Sequence, residues 1–206
     1  MEPENNEIKQ SLLLSILSRI VEWGNNWLTL SHWLIRGNRH IFIKLEILML
    51  VIVVFCVTLL CVIDRLPYTV ALVLSIILIQ RVLEFLIVYS RNFILRRGRI
   101  FSDFTDEETR GQWLLIMFSL NVIQIITIFA IWYHLISEVN PAAFSLSLDA
   151  LNSLYFSITT FFTIGYGDIV PLAVLPKALI MVQNALTFYT IVIVVNGVVT
   201  IHFKRQ

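Results

Sequence analysis

The stretch that decides the fold covers residues 149–168 and reads DALNSLYFSITTFFTIGYGD. Its first part, residues 149–161, is mostly apolar and has the length of a short helix, for which Asp149 is a suitable N-cap. This helix is too short to cross a bilayer, because a crossing needs about 20 apolar residues. Gly165 and Gly167 follow it closely and favour a non-helical backbone. We therefore expect the chain to enter the membrane here, turn and leave again.

The chain around this stretch is strongly apolar. Hydrophobic residues make up 58% of the 206 positions and charged residues 14%, which is far from the composition of a soluble domain. Segments long enough to cross about 30 Å of hydrocarbon are residues 41–63, 68–89, 113–136 and 177–201. The short helix lies between the third and fourth of them. The sequence therefore predicts an all-α membrane protein with four transmembrane helices and a re-entrant loop.

The basic residues predict how the spans are oriented. They concentrate before the first span, between the second and third, and after the fourth. The positive-inside rule assigns such segments to the cytoplasm, so both termini are expected there, in a multi-pass protein of the plasma membrane. The loop with TIGYGD is then on the outer side. The net charge of +1 gives no reason to expect a nucleic acid partner, and the expected surroundings are lipid.

The predicted spans and loops divide the chain into four parts. These are a cytoplasmic amphipathic segment (1–40), a peripheral two-helix transmembrane unit (41–90), a cytoplasmic linker (91–111) and a unit with two spans and the re-entrant loop (112–206). We expect no soluble ligand-binding domain. The sequence also contains no Gly-rich phosphate loop, no His or Cys cluster with metal-ligand spacing and no nucleophile elbow. These patterns argue against an enzyme.

An amphipathic helix is predicted at about residues 7–34. Its polar residues recur every three or four positions, and the opposite face carries Leu13, Ile16, Leu17, Ile20, Trp23 and Trp27. This pattern is typical of a helix lying in the membrane interface. A helix that packs against the cytoplasmic ends of the spans would have the same pattern, so both arrangements stay open.

The second span contains two charged residues, Arg81 and Glu84, which are three positions apart and so share one helical face. Buried charge in a membrane is a functional hypothesis by default. A voltage sensor resembles a helix with Arg or Lys at every third position, whereas this helix has one Arg beside a counter-charge. The pattern therefore favours an ion pair that docks the second helix on its neighbours.

The segment TIGYGD, placed between a half-length helix and a span, resembles the signature of the potassium-channel pore family, TVGYG with Ile for Val. The resemblance covers residues 113–201. It implies a selectivity filter, in which extended backbone offers rings of oxygen to a dehydrated K⁺, the permeant ion and the one cofactor expected. The filter residues would be Thr163, Ile164, Gly165, Tyr166 and Gly167, with K⁺ bound at the first four. Gly165 and Gly167 can adopt the positive φ angles that such backbone needs.

The same resemblance implies how the filter is supported. In the family the tyrosine points away from the ion path and braces the filter against aromatic residues, here Tyr155 and Phe156. Asp168 would cap the outer mouth. Many members have an acidic residue behind the filter where this chain has Thr159. The C-terminal dipole of the short helix would favour a cation in the central cavity.

One such loop offers one quarter of each oxygen ring, so the function requires four copies and predicts a homotetramer. In the last span, the cavity wall and gate would involve Phe188, Ile191, Val195 and Val199, although ordinary helix packing explains their spacing equally well. Thr187 stands where the family usually has a hinge glycine, and Gly197 follows about three turns later. The expected function is passive, selective K⁺ conduction. The alternative is a non-conducting modulatory subunit that assembles with other channels.

Overall fold

The computed structural model describes residues 12–28, 41–91 and 107–203. Its α-helices are α1 (Leu12–Leu28), α2 (Ile41–Val62), α3 (Tyr68–Tyr89), α4 (Glu107–Val139), α5 (Ala150–Phe161) and α6 (Val174–Phe203). Short 3-10 turns follow α2 at Ile63–Arg65 and α4 at Pro141–Ala143. Within the described ranges, strand-like pairing is limited to an isolated bridge between Phe144 and Pro171. The predicted all-α fold is therefore confirmed for this part of the chain.

Among the described residues, four helices are long and apolar enough to cross a membrane, as predicted. The spanning stretches are Lys44–Arg65, Tyr68–Tyr89, Gly111–Val139 and Val174–Ile193. The fourth helix begins three residues before the predicted start at residue 177. Pro176 does not prevent this, because proline is tolerated in the first turn of a helix, where its missing N–H has no helical partner.

The two peripheral spans form a tight helical hairpin. The 3-10 turn Ile63–Arg65 ends α2, and Leu66 is extended. Pro67 then starts α3, with φ of −56° and a carbonyl that accepts from the backbone N–H groups of Val70 and Ala71. Proline suits this N-cap position, because the helix needs no N–H from the residue that precedes its first turn. The short connection brings the ends of α2 and α3 together at one end of the molecule.

Helix α4 lies at the centre of the described fold. In its apolar spanning window 59% of the residues are buried, compared with 22% in α2. Its central part carries Phe129 and Tyr133, whose rings meet Trp132 and Phe156 at centroid distances of 5.0 Å. By contrast, α2 and α3 expose many apolar side chains. The core therefore sits around α4, and the outer faces of α2 and α3 are suited to lipid.

Helix α1 packs against α3 through a face of mostly small and polar residues, with Val21 buried among them. Ser18, Gly24 and Asn25 are buried, and a Cβ on Gly24 would lie 2.8 Å from Cδ1 of Ile87. The apolar face remains exposed, with Trp23 at 63%. The helix thus contacts a span, as in the second of the two expected arrangements, and still presents the apolar surface that the first arrangement requires. The rest of the predicted segment lies outside the described residues.

The predicted ion pair between Arg81 and Glu84 is present and buried. Nη1 of Arg81 donates to the carboxylate of Glu84, and their side chains are 9% and 2% exposed. Nη2 of Arg81 reaches Sδ of Met49 on α2 at 3.3 Å, and the Met49 carbonyl accepts from Nε2 of Gln124 on α4 at 3.3 Å. The pair therefore sits where three helices meet, as expected for a docking contact.

This buried pair leads to a stability prediction. Glu84→Leu leaves the Arg81 guanidinium without its carboxylate in the interior, which is expected to cost about 3–5 kcal/mol. The double variant Arg81→Leu/Glu84→Leu removes both charges and should lose much less stability than Glu84→Leu. Thermal unfolding of the purified variants in one detergent compares the two. An equal loss in both variants would contradict a role for the uncompensated charge.

Candidate functional site

Helix α5 is a short helix with a polar cap, as the sequence predicts. The Asp149 carboxylate accepts from the backbone N–H of Asn152 at 2.7 Å. The helix ends at Phe161, where the N–H of Phe162 bonds to the Ile158 carbonyl and that of Thr163 to the Thr160 carbonyl, each at 3.0 Å. The chain then leaves the helical path. The last carbonyls of α5 are therefore engaged by the segment that follows.

The turn after α5 is anchored on a main-chain carbonyl, that of Thr159. It accepts from the N–H of Ile164 at 2.8 Å and lies 3.4 Å from the N–H of Gly165. The Thr159 side chain is buried, and its hydroxyl donates within the helix to the carbonyl of Phe156 at 3.1 Å. Thr159, the support residue predicted from the sequence, therefore contacts the segment through its backbone carbonyl and not through its side chain.

Positive φ angles recur at every second residue of this segment. Thr163, Gly165 and Gly167 have φ of 54°, 57° and 83°, while Ile164 and Tyr166 between them do not. The two glycines match the expectation. Thr163 was not foreseen, since the left-handed region costs a residue with a side chain about 1–2 kcal/mol. Strain of this kind persists only where the surroundings hold it in place, here the bond from Thr163 N–H to α5.

The segment has little cover within its own chain. The side chains of Ile164 and Tyr166 are 49% and 69% exposed. A Cβ added at Gly165 or Gly167 would meet no atom within 4 Å. Non-helical backbone at membrane depth has to be buried in protein or to line a cavity. Within the single chain this segment is neither buried nor part of an enclosed cavity.

Two tyrosines stack beside the segment. The rings of Tyr155 and Tyr166 are within 2° of parallel, with centroids 6.3 Å apart. The Tyr155 phenol donates a hydrogen bond to the Asp168 carboxylate, which raises the pKa of Tyr155. Phe156, also expected near Tyr166, is buried instead and meets the edge of the Phe144 ring at 5.5 Å. Tyr155 thus braces the segment, and Phe156 belongs to the core of its own chain.

A pairing that the sequence did not reveal holds the far end of the segment. The Ser145 N–H donates to the Val170 carbonyl at 2.9 Å, and the Val170 N–H donates back to Oγ of Ser145 at 2.8 Å. The hydroxyl also reaches the Asp168 carbonyl at 3.4 Å. Ser145 lies in the loop before α5, so it clamps the chain just after TIGYGD. Such pairing between separate irregular segments has no periodic signature in the sequence.

A buried polar network joins α4, α5 and α6 behind the segment. The Tyr133 hydroxyl donates to Oε1 of Gln183 at 2.6 Å, and Nε2 of Gln183 donates to the carbonyl and hydroxyl of Ser157, both at 3.0 Å. Ser157 in turn donates to the Ile126 carbonyl at 2.7 Å. All three side chains are fully buried. A glutamine within an apolar span was the signal that could have located this network.

The predicted cavity face of α6 points away from its own chain. Phe188 and Ile191 are 70% and 53% exposed. Thr187 is buried, and its hydroxyl donates to the Gln183 carbonyl at 3.1 Å. Val195 and Val199 belong to the same helix, and their side chains lie outside the described ones. Helix α6 runs without interruption through Thr187.

A comparison with known families identifies this region. The family model described as an ion channel matches residues 121–204. Residues 121–204 therefore form an ion-channel domain. The ion-channel domain so defined contains most of α4, all of α5, the TIGYGD segment and α6, and it agrees with the region that carried the sequence resemblance. No curated protein and no solved structure matches the chain. The chain is therefore a membrane protein with an ion-channel domain.

The network behind the segment can be tested within the ion-channel domain. Gln183→Leu leaves the Tyr133 hydroxyl buried without its acceptor, which is expected to cost about 1–3 kcal/mol. Tyr133→Phe/Gln183→Leu removes that donor as well and should lose less. Thermal unfolding in detergent measures the stability lost in Gln183→Leu, in Tyr133→Phe and in the double variant. If the double variant loses as much as the sum of the single changes, the hydrogen bond is not what stabilises the three helices.

Proposed function

We propose that this chain is a subunit of a potassium-selective channel and that residues 163–167 form its selectivity filter. K⁺ would pass down its electrochemical gradient through a pore lined by α4, α5, the filter and α6. The observation that carries the proposal is the alternation of positive and negative φ in an exposed segment of an ion-channel domain.

This alternation of φ can place successive carbonyl oxygens in a row on one side of the segment. In a regular strand successive carbonyls point to opposite sides, whereas alternating left-handed and right-handed residues turn the peptide planes so that like groups gather on one side. A row of carbonyls can replace the hydration shell of K⁺. The Thr163 hydroxyl donates its hydrogen to the Phe162 carbonyl at 2.7 Å, so its oxygen lone pairs remain available to an ion.

The position of α5 favours a cation at the inner end of this row. A helix carries partial negative charge at its C-terminus, and the filter begins directly after the C-terminus of α5. Phe162, the residue between them, is 57% exposed. In an assembled channel the ends of several such helices would converge on the central cavity.

Four copies of the chain would complete the site. One filter supplies one side of each oxygen ring, and the exposed side chains of Ile164 and Tyr166 need neighbours. Helix α6 likewise exposes Met181 and Phe188 at 72% and 70%. A homotetramer around the filter axis covers these groups, with α2 and α3 at its periphery. We place the channel in the plasma membrane with both termini in the cytoplasm, because the basic residues flank the spans on that side.

The oligomeric state is measured directly. Native mass spectrometry of the purified protein in detergent is expected to give the mass of four chains. A stable monomer or dimer that still conducts K⁺ selectively would contradict the assembly proposed here.

Selectivity is tested by flux from liposomes that contain the purified protein. K⁺ should pass and Na⁺ should be excluded. Gly165→Ala places a side chain at φ of 57°, which costs about 1–2 kcal/mol and should disturb the carbonyl row, so that K⁺ flux falls or Na⁺ enters. Gly111→Ala makes the same chemical change inside helix α4 and is expected to leave flux and selectivity unchanged.

The outcomes separate the two functions considered for this chain. Equal K⁺ and Na⁺ flux through the wild-type protein would overturn the proposed selectivity. A correctly assembled tetramer that passes neither ion would favour a non-conducting modulatory subunit.

A further inference from the structure

Three side chains that are far apart in sequence meet where the α2–α3 hairpin touches the end of α4. Asp64 belongs to the turn Ile63–Arg65, and His134 and Glu138 lie one helical turn apart on α4. One ligand atom from each lies within 4.8 Å of the other two. We propose that these residues form a Zn²⁺ site. The proposal does not depend on ion conduction.

The hydrogen bond between Nδ1 of His134 and the Leu148 carbonyl determines which ring nitrogen is available to bind a metal. Nδ1 lies 2.9 Å from the Leu148 carbonyl. A carbonyl oxygen only accepts, so Nδ1 carries the hydrogen. In the neutral ring Nε2 then has a lone pair, which is the form that binds a metal. Zinc-binding histidines characteristically donate their second N–H to a carbonyl or carboxylate in this way.

The lone pair of Nε2 faces negative charge without a hydrogen bond. Nε2 is 3.0 Å from Oδ1 of Asp64 and 3.8 Å from Oε1 of Glu138, and it is buried with no hydrogen-bond partner. Neither carboxylate oxygen forms a hydrogen bond with Nε2, and the Glu138 oxygen is too distant for one. When the ring is neutral, a nitrogen lone pair and a carboxylate oxygen this close repel each other unless a cation binds between them.

The spacing matches the coordination of zinc. Zn²⁺ binds His nitrogen and carboxylate oxygen at about 2.0–2.2 Å in tetrahedral geometry, so two of its ligands lie about 3.3 Å apart. The distances from Nε2 of His134 to Oδ1 of Asp64 and to Oε1 of Glu138, 3.0 and 3.8 Å, bracket this value. A water molecule would supply the fourth ligand, because the described chain brings three protein ligands together here.

The site is open to solvent on one side and built into the protein on the other. Asp64 and Glu138 are 56% and 42% exposed, whereas the His134 side chain is 3% exposed. An ion can therefore enter from water and bind the buried nitrogen. In the proposed orientation this end of α4 faces the outside of the cell, a statement that rests on the proposed function.

Zinc at this site would link the peripheral hairpin to the ion-channel domain. Leu148 accepts from His134 through its carbonyl and donates its N–H to Oγ of Ser137 at 2.9 Å. It directly precedes Asp149, the cap of α5. The ion would thus connect the α2–α3 turn to α4 and, through Leu148, to the start of α5.

Isothermal titration of Zn²⁺ into the chelator-treated, tag-free, full-length protein in detergent tests the site. One Zn²⁺ per chain is expected, and Mg²⁺ in excess should not displace it, because Mg²⁺ prefers six oxygen ligands. His134→Asn places an amide N–H near the position of Nδ1 and removes Nε2. Asp64→Asn and Glu138→Gln change exposed side chains and should leave the fold intact. Each variant is expected to bind at least about tenfold more weakly.

His202→Asn makes the same change at another histidine and should leave Zn²⁺ binding unchanged. Wild-type protein that does not bind Zn²⁺ would overturn the proposal, and so would unaltered affinity in Asp64→Asn and His134→Asn. A loss that is equal in His202→Asn would also overturn it. Because binding is measured without ion flux, a channel that fails to conduct can still contain the site, and a conducting channel can lack it.

Discussion

The carbonyl of Thr159 is the group on which the TIGYGD segment depends. It accepts from the N–H of Ile164 and lies within reach of that of Gly165, so the chain has to fold back over the last turn of α5. This contact satisfies backbone N–H groups that have no helical partner. The neighbouring bond from the Thr163 N–H to the Thr160 carbonyl holds Thr163 in a left-handed conformation that a free chain would avoid. The geometry of the segment therefore follows from how α5 ends.

The rest of the ion-channel domain keeps that helix end in place. Behind it, Gln183 bridges Tyr133 and Ser157 and so joins three helices through buried hydrogen bonds. In front, Ser145 clamps the chain that leaves the segment. Buried polar networks have demanding geometry, because every member that loses its partner is costly. The segment is thus held at both ends, while the side chains in its middle remain exposed in the single chain.

The sequence predicted the architecture well, for a simple reason. A membrane span needs a long apolar run, and such runs are visible without knowledge of tertiary contacts. The short helix was equally readable, since Asp149 is a strong cap and the following glycines end the helical pattern. The φ angles of Gly165 and Gly167 were also expected, because glycine is the residue that reaches positive φ at least cost. The ion pair between Arg81 and Glu84 followed from their spacing on one helical face.

Contacts between distant segments were decided by the tertiary structure alone. Nothing in the chain's local pattern indicates that Thr159 acts through its carbonyl, that Phe156 turns into the core, or that Asp64 meets His134 on another helix. The local sequence pattern indicates which face of a helix is apolar. It does not indicate which side chain of a distant segment packs against that face. The sequence by itself thus determined the long apolar helices, the short helix between the last two of them and the residue types of the segment. The packing around α4 decided their partners, because close-packed interiors select contacts by shape.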